Sequence, residues 1–421
     1  MRACSAATAL SVALLGAAPA ATEAQLHTAS DPLLPPRLGW AGVLQLAQER
    51  APEVLAARAE AGVARGRLVG ASPLLAENPS LGVAGGGRLG PRSVLPELEV
   101  SLLQSLEVPG RRAARLDAAE AAWRAASAEA EEVERQVTRA AALTYVRAVH
   151  AIERERLMAT VASAAERTVT VAARRHAAGE VPLLETNAAR AAAARARAAQ
   201  RSMAATRLLL EGELRSMLGL PAAPPLAVDG VLQDLVMSEV AAAEPALEAR
   251  PDLRALKARL DEAGAELRVG ESRWWPDLGV GARYSLEEGA HGAAGIVELS
   301  LPTFDNGEAT RVEARARAEA LGARLTARQG AAVRAWVTSR AVLEERRGAA
   351  RELQQAAVPL ADENVLLARR GYEAGELGLA DLLALERDAA SAHELHLDLM
   401  LEAALALIDL LFSAPSAGAS P

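Results

Sequence analysis

Between Arg111 and about Arg175, the apolar or small residues Leu116, Ala119, Trp123, Ala126, Ala130, Val133, Val137, Ala140 and Thr144 follow one another in steps that alternate three and four. That spacing lays them along one stripe of a helix and is the heptad pattern of a coiled coil. No glycine or proline interrupts the segment, so it predicts one helix of ~100 Å at ~1.5 Å per residue. The turn Ala178–Pro182 ends it, and a return helix covers about Leu183 to Leu218. Upstream, helical patterning runs from about Trp40 to Val69. Two stretches of period two follow, Ser80–Gly86 and Glu97–Ser105, joined by the Gly/Pro-rich Gly87–Pro96.

The same plan occurs twice. Pro79-Ser80-Leu81-Gly82-Val83 is echoed by Pro276-Asp277-Leu278-Gly279-Val280, and Leu98-Glu99-Val100-Ser101-Leu102 by Val297-Glu298-Leu299-Ser300-Leu301. Ala178-Gly179-Glu180-Val181 returns as Ala374-Gly375-Glu376-Leu377, and Pro52-Glu53-Val54 as Pro251-Asp252-Leu253. All four offsets lie between 196 and 199 residues, which points to a duplication. A solenoid is excluded, because its periods run ~20–50 residues. The second copy predicts a helix near Ala246–Ser272, strands Pro276–Leu286 and Gly295–Thr303, and a long helix Glu308–Arg370 kinked at Pro359. The turn Tyr372–Gly378 and a helix Leu379–Phe412 complete it. The organisation is a leader over 1–24, an extended tail over 25–39, repeats at 40–220 and 246–412 around a linker at 221–245, and a disordered tail over 413–421. Each long helix has no single partner of its own length; the two shorter helices match it if they lie end to end.

In the strands, Leu278, Val280, Ala282, Tyr284 and Leu286 share one face, while Asp277, Gly279, Gly281, Arg283 and Ser285 share the other. Leu98, Val100 and Leu102 alternate with Glu99 and Ser101 in the same way. Such alternation suits lipid outside and water inside, or equally a strand half buried under helices. Four strands cannot close a membrane barrel, whose smallest form has eight. Open edges in lipid would leave backbone groups unsatisfied. Strands in a membrane therefore require several copies of the chain. The fold class is mostly α with a small β part: long coiled-coil helical hairpins plus four strands per chain, which would contribute to an oligomeric transmembrane β-barrel if they lie in a membrane.

Composition changes the picture in three ways. Aromatics make up only 2% of the 421 residues and alanine dominates the 51% hydrophobic share, which favours closely approaching helices over a bulky core. The net charge of −8 with interspersed signs gives no basic stripe for nucleic acid. Met1-Arg2, the apolar run Ala6–Gly16 and Ala18-Pro19-Ala20 read as a secretory leader. The single cysteine, Cys4, precedes that apolar run, so the mature chain is expected to lack disulfides and an N-terminal acyl anchor. No later stretch offers ~20 apolar residues for a spanning helix.

The turn motifs His176-Ala177-Ala178-Gly179-Glu180-Val181 and Tyr372-Glu373-Ala374-Gly375-Glu376-Leu377, each between a long helix and its return, resemble those of TolC-like outer-membrane efflux proteins. Leu103-Gln104-Ser105-Leu106-Glu107-Val108-Pro109-Gly110-Arg111-Arg112 and Ser300-Leu301-Pro302-Thr303-Phe304-Asp305-Asn306-Gly307 resemble the cobalt–zinc–cadmium heavy-metal type. The resemblance covers roughly Trp40 to Phe412. It implies a homotrimer in the cell outer membrane with a periplasmic helical tunnel, a passive exit duct for substrates such as heavy-metal cations. It also implies a periplasmic adaptor and an inner-membrane resistance–nodulation–division pump as partners. Carried over by motif, Gly179, Glu180, Val181, Leu183 and Leu184, with Gly375, Glu376, Leu377 and Leu379, would be tip residues contacting the adaptor. Tyr372, Asp381 and Glu185 would stand at the aperture. The resemblance departs at Leu377, which occupies the place of a basic partner.

Other chemistry-like signals are weak. Gly85-x-Gly87-x-x-Gly90 is followed by Pro91 rather than by a helix N-terminus able to hold a pyrophosphate. His393 and His396 stand three apart on one helical face, with no third ligand cluster near in sequence. Trp274, Trp275 and Tyr284 suit an interfacial aromatic belt or packing at the strand root. Glu180, Glu185, Glu376 and Asp381 give an acidic aperture or simply solvated turns. No nucleophile–base pair, phosphate loop or zinc-ligand set appears, so neither an enzyme nor a cofactor is expected. The alternative is a soluble periplasmic coiled-coil scaffold or adaptor, against which the repeated strand pairs argue.

Overall fold

The computed structural model describes residues 37–89, 94–107, 110–222, 226–237, 247–287 and 290–413. The expected leader, most of the tail 25–39, parts of the linker 221–245 and all of the C-terminal tail after Ser413 lie outside them. Ser413 itself closes the last helix, its hydroxyl donating to the Leu410 carbonyl at 2.7 Å, rather than opening the tail.

Helix α1 (Trp40–Arg50) and helix α2 (Pro52–Ala71) replace the single helix expected over 40–69. Pro52 has no N–H to continue a helix but suits its first turn, and Ala51 before it is extended, with ψ 127°. Strands β1 (Ser80–Leu89) and β2 (Val94–Leu106) lead to α3 (Arg111–Ala177), a 67-residue helix, and its return α4 (Leu183–Met217). A short helix α5 (Leu232–Met237) was not foreseen in the linker. Then come α6 (Pro251–Ser272), β3 (Asp277–Glu287) and β4 (Ala290–Ser300), the last beginning five residues before the expected Gly295. The long helix of this half is α7 (Glu308–Glu352) and α8 (Val358–Ala374), separated by a π-helical stretch over Leu353–Ala357. Pro359 cannot donate to the carbonyl four residues earlier, and the widened turn just before it absorbs the misfit. Helix α9 (Leu379–Ser413) ends the described chain.

The helices stand side by side as four columns. On one side of α3 lie α2 and α4, stapled by Arg58–Glu134 (2.8 Å), Arg207–Glu155 (2.7 Å) and Arg197–Glu166 (3.4 Å). On its other side lie α6, through Arg259–Glu129 (2.6 Å), and α9, through His150–Asp398 (2.9 Å). Beyond these stands α7, tied by Arg317–Glu266 (2.7 Å) and Arg346–Glu402 (2.8 Å). The shorter helices do lie end to end. A Cβ on Gly219, just after α4, would fall 3.0 Å from the Arg50 carbonyl oxygen and 3.1 Å from Pro52, where α2 begins. Likewise Arg250, the residue before α6, donates to the carbonyl of Ser413 at the end of α9. At this second joint Asp252 accepts both Arg250 and Arg328. Burial pushes its carboxyl up, but the hydrogen bonds and charges of Arg250, Arg328 and Arg135 outweigh that and hold it below the usual carboxylate range. The seams are largely alanine, including the buried Ala121, Ala125, Ala141, Ala142 and Ala148 of α3, which permits close approach.

The strands form one antiparallel sheet in the order β1-β2-β3-β4. Its order mirrors that of the columns, since β1 follows α2 and β4 precedes α7.

Candidate functional site

Two regions carry the sequence-predicted residues, the helical turns at one end and the sheet at the other. The two turns are built by the same hydrogen bonds. In the first, Gly179 N–H donates to His176 O (2.9 Å) and Glu180 N–H to Arg175 O (2.9 Å); in the second, Gly375 donates to Tyr372 O (3.2 Å) and Glu376 to Gly371 O (2.8 Å). Both glycines are left-handed, at φ 77° and 79°, the conformation that caps a helix most cheaply without a side chain.

The tips are not independent. Ala172 of α3, Ala189 of α4, Ala368 and Tyr372 of α8, and Leu379 and Leu382 of α9 form one buried cluster. Tyr372, only 1% exposed, is its largest member. Its hydroxyl reaches Glu185 on α4 at 3.4 Å, and the Arg175 guanidinium on α3 sits 5.0 Å from its ring centre. Arg175 also donates to the Tyr372 carbonyl (3.0 Å) and to Glu180 (3.2 Å). Burial, then the Glu185 charge, push the Tyr372 phenol up.

The predicted tip residues divide by burial. Gly179, Glu180, Leu183, Leu184, Gly375 and Glu376 are exposed, Leu184 by 75%. Val181 and Leu379 are instead buried and Leu377 half-buried, because an apolar side chain beside a tight turn packs back onto its own hairpin. Tyr372 likewise faces the inside of the chain, joined to Glu185 and not to Asp381. Asp381 is exposed in the first turn of α9, where the helix dipole favours an anion, and among the described residues its carboxylate has no ion-pair partner. Arg175 was missed. A basic residue in a last helical turn reads as an ordinary dipole complement, and its contact with a turn 197 positions on exists only in three dimensions.

In the sheet, the register stacks Val83, Val100, Tyr284 and Ala293 across the four strands, with Leu81, Leu102, Ala282 and Gly295 beside them. This apolar face is bare: Val83 is 64% and Val297 69% exposed. The opposite face carries Glu99, Ser101, Arg283, Ser285 and Glu298, with Arg283–Glu99 paired at 2.9 Å. Among the described residues, the outer edges of β1 and β4 have no strand partner. Among the described residues, the outer columns have no further column beside them. Exposed bulky apolar residues gather on α2 (Leu55, Val63, Val69), α4 (Leu208, Leu209), α7 (Val333, Val337, Val342) and α8 (Leu360, Leu366, Leu367), whereas among the described residues of the inner columns α3 and α6 expose none and α9 exposes Leu395.

The wall also has two sides. At ~100° per residue, Arg111, Arg115, Gln136 and Ala140 share one face of α3, and Tyr145 and Val149 lie opposite, toward α1 and α5. The first side continues into the polar face of the sheet, where Arg111 donates to Asp277. It holds a cleft of about 810 Å³ at the sheet root and another of about 1040 Å³ at mid-height, lined by Arg135, Arg139, Arg250 and Arg328 with Asp409 and Glu53.

The remaining candidates have ordinary roles. Gly85 and Gly87 lie within β1, and Gly90 is outside the described residues. His393 meets Asp362 at 2.9 Å, and no group of three metal-ligating side chains occurs among the described residues. Trp274 and Trp275 are exposed just before β3. Among the described residues, no helix is long and apolar enough to cross a membrane.

Residues 242–414 match the family described as outer membrane efflux protein. The chain is 28% identical over 286 residues to the cobalt-zinc-cadmium resistance protein CzcC of Cupriavidus metallidurans, covering 67% of this chain and 68% of that one. Its fold is that of solved channels. CusC superposes with a TM-score of 0.76 at 16% identity over 89% of this chain and 91% of that one. The open MtrE outer membrane channel of Neisseria gonorrhoeae gives 0.72 at 19% identity, with 89% of each chain covered.

Proposed function

We propose, from the match of residues 242–414 to the outer membrane efflux protein family and the likeness to CzcC, that the chain is a member of that family and that three copies form the exit duct of a tripartite efflux system, passive and powered by an inner-membrane pump through a periplasmic adaptor. One observation carries the reading. The sheet and the helical wall each end in two free edges, on the same two sides, and the sheet bares one apolar face. Exposed apolar area of this kind is stabilising only when covered. A second copy covers the edges and lipid covers the face, giving twelve strands in a barrel and twelve columns in a tunnel.

The duplicated plan then has a physical use, since two like halves per chain give six like staves about the axis. The polar face of the sheet and the clefts at Arg111 and Arg135 line the water path. Leu183, Leu184, Glu180 and Glu376 form the outer surface of the tips, where an adaptor docks, and Asp381 and Glu185 stand near the aperture. Nothing in the reading calls for enzymatic chemistry; the family is one of ducts. Heavy-metal cations are the proposed cargo, supported by the name of the relative in Cupriavidus metallidurans and by the acidic tips.

The test is fractionation. Heat-sensitive trimers in the outer membrane are expected, and a monomer in the periplasmic extract would sink the proposal. Cargo is tested separately, by sensitivity of a deletion strain to cobalt, zinc and cadmium; unchanged tolerance would remove the metal assignment alone.

A further inference from the structure

On the side of the wall away from the water path, a cavity of about 360 Å³ lies between the start of α1, the middle of α3 and the start of α5. The chain has few aromatic residues, yet two of them meet here. Trp40 and Tyr145 stand edge to face at 5.7 Å and 61°. Val149 and Leu235 complete an apolar wall. The Tyr145 hydroxyl is fixed, donating to the Asp229 carbonyl at 2.7 Å, and burial keeps the phenol protonated, with a pKa of about 12.

The charges at this cavity differ from those in the seams between the columns. Most carboxylates between columns face an arginine, as in the pairs above. Asp229 and Asp234 line the cavity with no basic residue among its described lining and no ion-pair partner among the described residues. A third carboxylate, Glu153, lies behind them, accepting the Leu232 N–H at 3.1 Å. The Trp40 indole Nε1 is buried without an acceptor among the described residues.

We propose that this cavity binds an alkylammonium group, held over the Trp40 and Tyr145 rings and neutralised by Asp229 and Asp234. Aromatic faces attract a cation through the ring quadrupole, and the attraction grows as water is excluded. Carboxylates without a partner supply the charge that the rings alone do not. A quaternary ammonium with a short hydroxyalkyl arm fits the volume; a flat anion or a sugar does not answer the charge.

Calorimetry on the purified oligomer tests it with choline against its uncharged carbon isostere, 3,3-dimethyl-1-butanol. Choline should bind at about millimolar or better, and about ten-fold more tightly than the isostere. The double variant Asp229→Asn, Asp234→Asn alters only exposed side chains and should weaken choline by ten-fold or more. Trp40→Leu should do the same, and the Asn pair stands alone as the test if that variant does not fold. Equal binding of choline and isostere, no binding of choline up to about 10 mM, or unchanged affinity in the Asn pair would each overturn the site. Binding of an N-terminally blocked trimethyllysine amide as tight as choline would identify a protein side chain as the source; weaker binding would identify a free small molecule.

Discussion

Arg175 and Tyr372 join the two helical hairpins: the guanidinium lies over the Tyr372 ring at 5.0 Å and donates to the same residue's carbonyl at 3.0 Å. Arg175 closes the first hairpin and Tyr372 the second, so any motion that parts the tips must break both contacts. A stacked, partly buried guanidinium contributes about 1–2 kcal/mol. Arg175→Ala should therefore raise single-channel conductance in planar bilayers. Arg175→Lys should behave much like the alanine variant, because an ammonium lacks the planar stack. Unchanged conductance in both would free the tips from this tie.

Asp381→Ala tests the aperture separately. With no ion-pair partner among the described residues, Asp381 should affect conductance and cation preference without changing the stability of the chain. Wild-type conductance and selectivity would remove it from the aperture.

Tyr372 should matter more for packing than for its hydroxyl. Tyr372→Phe loses one 3.4 Å hydrogen bond and should cost about 1 kcal/mol or less. Tyr372→Ala empties the centre of the tip cluster and should cost ~3–5 kcal/mol. Thermal unfolding of the detergent-solubilised protein distinguishes the two, and similar losses would contradict the buried placement.

The sheet predicts a face-dependent effect. Val297→Arg places a charge on the bare apolar face and should cost about 2–4 kcal/mol of membrane insertion near the bilayer midplane. Ser285→Arg, on the opposite face, should leave insertion unchanged. The amount of each variant recovered in the outer membrane measures this; equal recovery would mean the faces are assigned wrongly.

Acidification should loosen the α3–α9 seam. Burial lowers the His150 pKa below its ordinary ~6.5, although Asp398 at 2.9 Å opposes the shift and Arg154 adds to it. The neutral ring is favoured in the folded state, so its contribution is fully present above about pH 6.5 and declines as pH falls through the folded value. His150→Gln should flatten the stability profile in that window. A profile as steep as wild type would assign the loss to other groups.

Much of this architecture was legible in the chain. The long helix α3, both turn motifs and the polar–apolar alternation of β2 and β3 follow from local periodicity, because a helix or strand of that length repeats one pattern many times. Where a single residue decides, reading was less reliable. Pro52 divides what looked like one helix, and the strain at Pro359 appears as a π-turn several residues earlier. Val181, Leu379 and Tyr372 carry the right motif, yet whether each faces partner or core depends on the neighbouring hairpin.

The sequence by itself determined most of the helices and strands, because propensity and periodicity are local. Only the tertiary structure decided that Arg175 bridges to Tyr372, and that Asp229 and Asp234 have no arginine partner among the described residues. Those relationships join residues far apart in the chain, and helix rotation and packing distance select them among many arginines and carboxylates of equal local merit.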